Sequence, residues 1–131
     1  MSILGHHVST RVAATVAGCL LLAALLPAVT RTPTREVELV VKGMAFYLAS
    51  DLETPNPTIA VKGGERVRVV LHNQDRGLTH DFAVPLIDAG TKEIPWNQSD
   101  EVVFDVPDSP GTYEYVCQPH RLMMRGTIQV Y

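Results

Sequence analysis

The sequence predicts an all-β domain, an antiparallel Greek-key β-sandwich, preceded by one hydrophobic helix at the N-terminus. Three observations carry that expectation. Beyond residue 36 the apolar residues fall in short runs, some of them alternating with polar ones, which is the period of a strand with one buried face. Gly, Pro, Asn and Asp separate those runs, as turn residues do. No amphipathic helical period of useful length follows the first thirty residues.

At 131 residues the chain has room for one domain and a short appendage. Its 46% hydrophobic and 19% charged content supports a packed core and argues against disorder. The formal charge is −3 overall, and residues 32–131 carry nine basic against fourteen acidic side chains. An acidic domain lacks the basic face that nucleic acid requires, so no nucleic-acid partner is expected.

Val12 to Val29 is a run of eighteen uncharged residues, the short end of what a membrane-spanning helix needs. Residues 1–31 therefore read as a signal peptide or membrane anchor with an apolar core at 12–29. No clean Ala-x-Ala cleavage site follows, which favours an uncleaved anchor. Val16-Ala17-Gly18-Cys19 looks like a lipoprotein box, but the apolar run continues past the cysteine that should close it. Arg11 on one side and Arg31 and Arg35 on the other leave the orientation undetermined by flanking charge. Either reading puts the following domain outside the cytoplasm, in the periplasm or at the cell exterior.

Residues 32–36 form a short linker, and 37–131 the domain. Its first run is Val37 to Lys42; a loop rich in turn formers, Ala49 to Pro57, then leads to Thr58–Lys62. Gly63-Gly64 marks a tight turn. In Glu65–Leu71, Val67, Val69 and Leu71 take one face, and Arg66 and Arg68 the other. His80–Pro85 is the next extended piece, and Val102, Phe104 and Val106 alternate with Val103 and Asp105. Leu86 to Ser99 has no clear period. After the turn at Asp108-Ser109-Pro110-Gly111, Thr112–Cys117 and Thr127–Tyr131 complete about seven strands.

The chemistry concentrates near the end. Cys117, His120, Met123 and Met124 fall within eight residues, and His80 stands upstream in Gly-Leu-Thr-His-Asp-Phe. Thiolate, two imidazoles and a weak thioether are the donor set of a mononuclear type 1 copper site; zinc rarely recruits methionine. Strand geometry puts Tyr113, Tyr115 and Cys117 on one face, with the cysteine turned inward at the strand's end, and Glu114 and Val116 on the other. Pro119 stops the ladder, so Gln118 to Arg125 must be a loop that can fold His120 and a methionine back to one point. Cys19 lies in the apolar run, so Cys117 has no disulfide partner within the domain. In an exported domain a lone thiol suggests a ligand.

With these residues the sequence resembles the cupredoxins, the blue copper proteins of the plastocyanin, amicyanin and azurin kind. Gly-Thr-Tyr-Glu-Tyr-Val-Cys-Gln-Pro-His (111–120) looks like the family's penultimate strand and ligand loop, and Met-Arg-Gly-Thr (124–127) like an azurin-type ending. The resemblance spans nearly all of 37–131. It implies a single copper ion, cycling between Cu(I) and Cu(II), on His80, Cys117, His120 and Met124, with Met123 the less favoured axial donor. The function implied is one-electron transfer with redox protein partners, by a monomeric domain tethered to the membrane if its helix is uncleaved. Asp81 stands where the family often has Asn, and can tie the two ligand segments by accepting backbone N–H bonds. Val116 holds the outward position that is a tyrosine electron port in plastocyanin, so a second port there is not expected. Pro119, Leu122 and Met123 would form an apolar collar at His120, with Arg121 and Arg125 placed to steer an acidic partner.

The alternative function is a copper chaperone or accessory domain for a membrane oxidase. An enzyme is disfavoured: the chain has neither the His-x-His pairs of multicopper oxidases nor the second loop cysteine of a dinuclear copper domain. His6 and His7 read as leader residues, and His72 as a partly exposed strand histidine.

Overall fold

A computed structural model of the chain describes residues 31–33 and 35–131. The expected helix at 12–29, with Cys19, lies outside the described residues. Among those described, no helix is long and apolar enough to cross a membrane.

Among the described residues, nine strands form two sheets. They are β1 (Arg35–Lys42), β2 (Ala45–Leu48), β3 (Ile59–Val61), β4 (Arg66–Asn73), β5 (Ala83–Val84), β6 (Ala89–Gly90), β7 (Ser99–Asp105), β8 (Gly111–Val116) and β9 (Arg125–Val130). One sheet runs β2-β1-β4-β7 and the other β3-β9-β8-β5-β6. The two-layer architecture is the expected one, but the pairing is mixed rather than purely antiparallel. β1 and β4 run parallel, as do β3 and β9. The reason is that β3 belongs to the opposite sheet, so the chain crosses over and returns to β1 in the same direction.

Alternation in β4 is regular: Val67, Val69, Leu71 and Asn73 are buried, and Arg66, Arg68, Val70 and His72 are half-exposed. The outward arginines meet acids across the sheet, Arg66 with Asp105 at 2.9 Å and Arg68 with Glu36 and Glu101. His72 bonds Glu38 at 2.8 Å and touches Ser99, a surface role matching its expected partial exposure. Pairs this exposed contribute little each.

Between the sheets sits an aromatic cluster. Tyr115 stacks on Phe82 at 5.4 Å between ring centres, and Phe46 meets Tyr115 edge-on at 5.3 Å. The buried Tyr115 hydroxyl donates to the Pro57 carbonyl at 2.6 Å, which pins the 49–57 loop to the core. Phe46 comes from β2, a strand the sequence pattern did not indicate. Its four residues are two buried then two half-buried, so no alternation marks it.

The expected loop at Gln118–Arg125 begins as a 3₁₀ turn, Gln118–His120, with Pro119 inside its first turn. Strand β9 starts at Arg125, two residues earlier than its apolar pattern indicates. One side-chain placement is corrected. Val116, on the face expected to be open to solvent, is fully buried: Tyr115 and Val116 point to opposite faces and both are covered, so the end of β8 has no solvent face.

Candidate metal centre

The pairing of β5 with β8 decides where the donors meet. Ala83 lies opposite Val116, so the chain just before β5 and the chain just after β8 arrive at the same end of the sandwich. The first carries His80 and the second Cys117. His80 is fixed by a two-way backbone bridge to Ile94, donating at 3.1 Å and accepting at 2.8 Å.

The ligand loop closes on itself. His120 N–H donates to the Cys117 carbonyl at 3.1 Å, and Met123 and Met124 N–H both donate to the His120 carbonyl. Cys117 N–H donates in turn to the Met124 carbonyl at 2.9 Å. These bonds bring the residue that ends the loop back beside the one that starts it. Met124 is fully buried, whereas Met123 is 61% exposed. Only Met124 is turned towards the interior that holds Cys117.

His80 Nδ1 lies 3.6 Å from Cys117 Sγ, and His120 Nδ1 lies 3.5 Å from it. The donor atoms of these three residues all fall within 4.8 Å of one another. The imidazole rings are 4.8 Å apart, tilted by 51°. Cys117 and His80 are fully buried and His120 is half-buried.

Two hydrogen bonds set the surroundings. Gln118 N–H donates to Asp81 Oδ1 at 2.6 Å, the link between ligand segments expected of Asp81. His80 Nε2 lies 3.0 Å from Asp75 Oδ2, a partner the sequence reading missed. Nothing but its position five residues before His80, in a turn, could have signalled it. A second missed contact is Asn56, whose Nδ2 donates to the Met123 carbonyl at 3.3 Å while its Oδ1 accepts from Phe46 N–H.

Burial acts in opposite senses on the two kinds of donor, favouring the ligating form of the imidazole and opposing that of the thiol. Burial pushes His80 below the usual histidine range, with Asp75 opposing, so the ring is biased to the neutral form that can ligate. Burial pushes the Cys117 thiol up to about 11, while the backbone N–H groups of Asp81 and His120 pull the other way. A metal must therefore displace that proton. Burial raises Asp81, against the Gln118 N–H that lowers it. For Asp75, burial opposes ionisation, but the N–H groups of Met44 and Gly43 and the His80 ring outweigh it, leaving the carboxyl below its usual range.

The described residues also place His120 at the surface among Pro119, Leu122 and Met123, with Met44 and Arg121 completing a shallow depression. Leu122 is 92% exposed. The expected apolar collar is present with exposed Arg121 in its lining, whereas Arg125, also exposed, lies beside Thr112, Tyr113 and Glu114 on the β8–β9 surface.

The family profile for the cupredoxin-like domain matches residues 13–130. The chain belongs to the cupredoxin-like family. None of the curated proteins compared with it matches. Among solved structures, auracyanin B is 24% identical with a TM-score of 0.62, over 79% of this chain and 93% of its own. Auracyanin A from Chloroflexus aurantiacus, described as a "blue" copper protein, is 20% identical with a TM-score of 0.59, over 76% of this chain and all of its own. Rusticyanin from Thiobacillus ferrooxidans is 26% identical with a TM-score of 0.54, covering 76% of this chain and 79% of its own. The donors fit the family's metal. His80, Cys117, His120 and Met124 are positioned for one copper ion: a buried sulfur with an imidazole nitrogen on either hand, and a buried methionine at the end of the same loop, its carbonyl bonded to Cys117 N–H.

Proposed function

We propose that this cupredoxin-like protein carries single electrons on one copper ion held by His80, Cys117, His120 and Met124, in a domain spanning 37–131 that works outside the cytoplasm. The observation that carries the reading is the convergence of three donor atoms from two distant segments within 4.8 Å. Copper in such a site supplies a one-electron couple between Cu(I) and Cu(II).

The chain's own part is to hold the donors still and dry. The Ile94 bridge fixes His80, the Asp81–Gln118 bond ties the two ligand segments, and the loop's closing bonds fix Met124 against Cys117. A site that moves little has little reorganisation to undergo when its charge changes. The fully buried Cys117, His80 and Met124 keep water out, while half-buried His120 gives the electron a way through the surface. The apolar collar supports close contact with a redox partner, and Arg121 favours an acidic one. The uncharged run at 12–29 supports export or anchoring in the membrane, and the lone Cys117 of the domain fits an oxidising compartment.

The test is a visible spectrum. Residues 31–131, the compact unit that holds all four donors, are expressed and given Cu(II). An intense blue absorption that disappears in Cys117→Ser is expected; a colourless product, or colour that survives the substitution, overturns the reading. Reversible cycling at an electrode without loss of metal separates a carrier from a copper chaperone, which would instead pass Cu(I) readily to an acceptor.

A further inference from the structure

The copper reading assigns no role to the residue behind His80. We infer that Asp75 is a positioning residue: its carboxylate holds the proton on His80 Nε2, presents Nδ1 to the metal, and biases the site towards its oxidised state. This rests on the copper reading for the last part only.

Asp75 is held more firmly than a solvated loop acid. Its Oδ1 accepts from Gly43 N–H at 2.6 Å, and its Oδ2 accepts from Met44 N–H at 3.0 Å and faces His80 Nε2 at 3.0 Å. Gly43 and Met44 are consecutive residues with φ of 58° and 62°. That backbone points two successive N–H groups the same way, a concavity suited to an anion. Gly43 and Met44 are the two central residues of the tight hairpin turn joining β1 to β2, which requires positive φ at both, and the same turn aims their N–H groups at the carboxylate.

From the other side, Asp75 N–H donates to the buried Asn73 Oδ1 at 2.8 Å. Asn73 Nδ2 donates to the Leu78 and Ile94 carbonyls, and Ile94 is the residue bridged to His80. Carboxylate, ring and backbone therefore form one connected frame. A neutral imidazole carries one proton, and each ring nitrogen of His80 has a different neighbour: Asp75 Oδ2 at Nε2 and Cys117 Sγ at Nδ1. An ionised carboxylate can only accept, so it keeps the proton on Nε2 and leaves the Nδ1 lone pair towards the donor cluster. The same negative charge strengthens the ring as a donor and favours the more positive metal state.

The test uses the full chain in detergent and begins without metal. Nitrogen-15 NMR of the metal-free protein should report the Nε2–H tautomer at His80; the Nδ1–H tautomer overturns the proposal whatever any variant does. Asp75→Ala should mix the tautomers and weaken metal binding roughly 10- to 100-fold, read with Co(II) as probe. Asp75→Asn removes the charge but keeps an acceptor, so the tautomer should persist while the reduction potential rises. Unchanged tautomers in Asp75→Ala, or an unchanged potential in Asp75→Asn, count against it. A wild type that forms no blue copper site defeats the copper reading instead, and the metal-free measurement still decides the role of Asp75.

Discussion

Gln118 N–H and the Asp81 carboxylate meet at 2.6 Å, so the residue after Cys117 is bonded to the residue after His80. The bond joins the side chain of one ligand segment to the backbone of the other. It ties the two segments beside the donors themselves, adding to the strand pairing of Ala83 with Val116.

Replacing Asp81 separates the bond from the charge. Asp81→Ala removes the acceptor and leaves Gln118 N–H without its partner, a loss of about 2 kcal/mol for a bond to a charged group. Asp81→Asn keeps an acceptor oxygen and should retain most of that stability, within about 1 kcal/mol. Chemical denaturation of the metal-free protein reads both; equal losses in the two variants would contradict the role given to this bond.

Gly126 makes room for a ring. A Cβ at this position would lie 2.3 Å from the Tyr115 ring, far inside contact distance. The ring cannot retreat, since it stacks on Phe82 and its hydroxyl is bonded to Pro57. Gly126→Ala should therefore destabilise by about 1–3 kcal/mol, the usual cost of overpacking. A thermal melt within experimental error of the wild type would refute this.

That glycine also illustrates what the sequence could and could not reveal. Met-Arg-Gly-Thr was readable as a motif, and Met124 rather than Met123 followed from it; burial of one and exposure of the other agree. The alternation of Val67, Val69 and Leu71 was legible because one face of β4 is apolar and the other charged. Val116 was misread because simple alternation assumes one solvent face, whereas β8 near its end is covered on both sides. Parallel pairing of β1 with β4 leaves no trace in either strand's own pattern. Asp75 and Asn56 act across 32 and 67 positions through single side-chain oxygens or nitrogens, and no periodicity records such contacts.

The collar at His120 should govern partner contact without touching the metal's surroundings. Leu122 is almost wholly exposed, and its burial against a partner is worth about 1.5–3 kcal/mol. Leu122→Ser should therefore slow electron exchange with a protein partner on the order of tenfold or more, while the visible spectrum stays unchanged. Arg121→Glu should slow exchange with an acidic partner most at low ionic strength, because salt screens the attraction it removes. Stopped-flow rates at two salt concentrations check both; a changed spectrum in Leu122→Ser would place that residue in the metal site instead.

Tyr115 gives the domain a stability that is lost at high pH. Its phenol is fully buried, and burial raises it well above the ordinary tyrosine value. An unfolded tyrosine titrates near 10. Below that pH both states keep the proton and the buried hydroxyl contributes its full stabilisation. Above it the unfolded chain releases a proton that the folded protein retains, so stability falls as pH rises towards the folded value. Tyr115→Phe loses the bond to Pro57, about 1 kcal/mol at neutral pH, but it also lacks the group that titrates. The two denaturation curves should converge between pH 10 and 11, the variant losing less than the wild type. Curves that stay parallel from neutral pH to 11 would mean that Tyr115 ionises alike in both states, and that its burial does not restrain it.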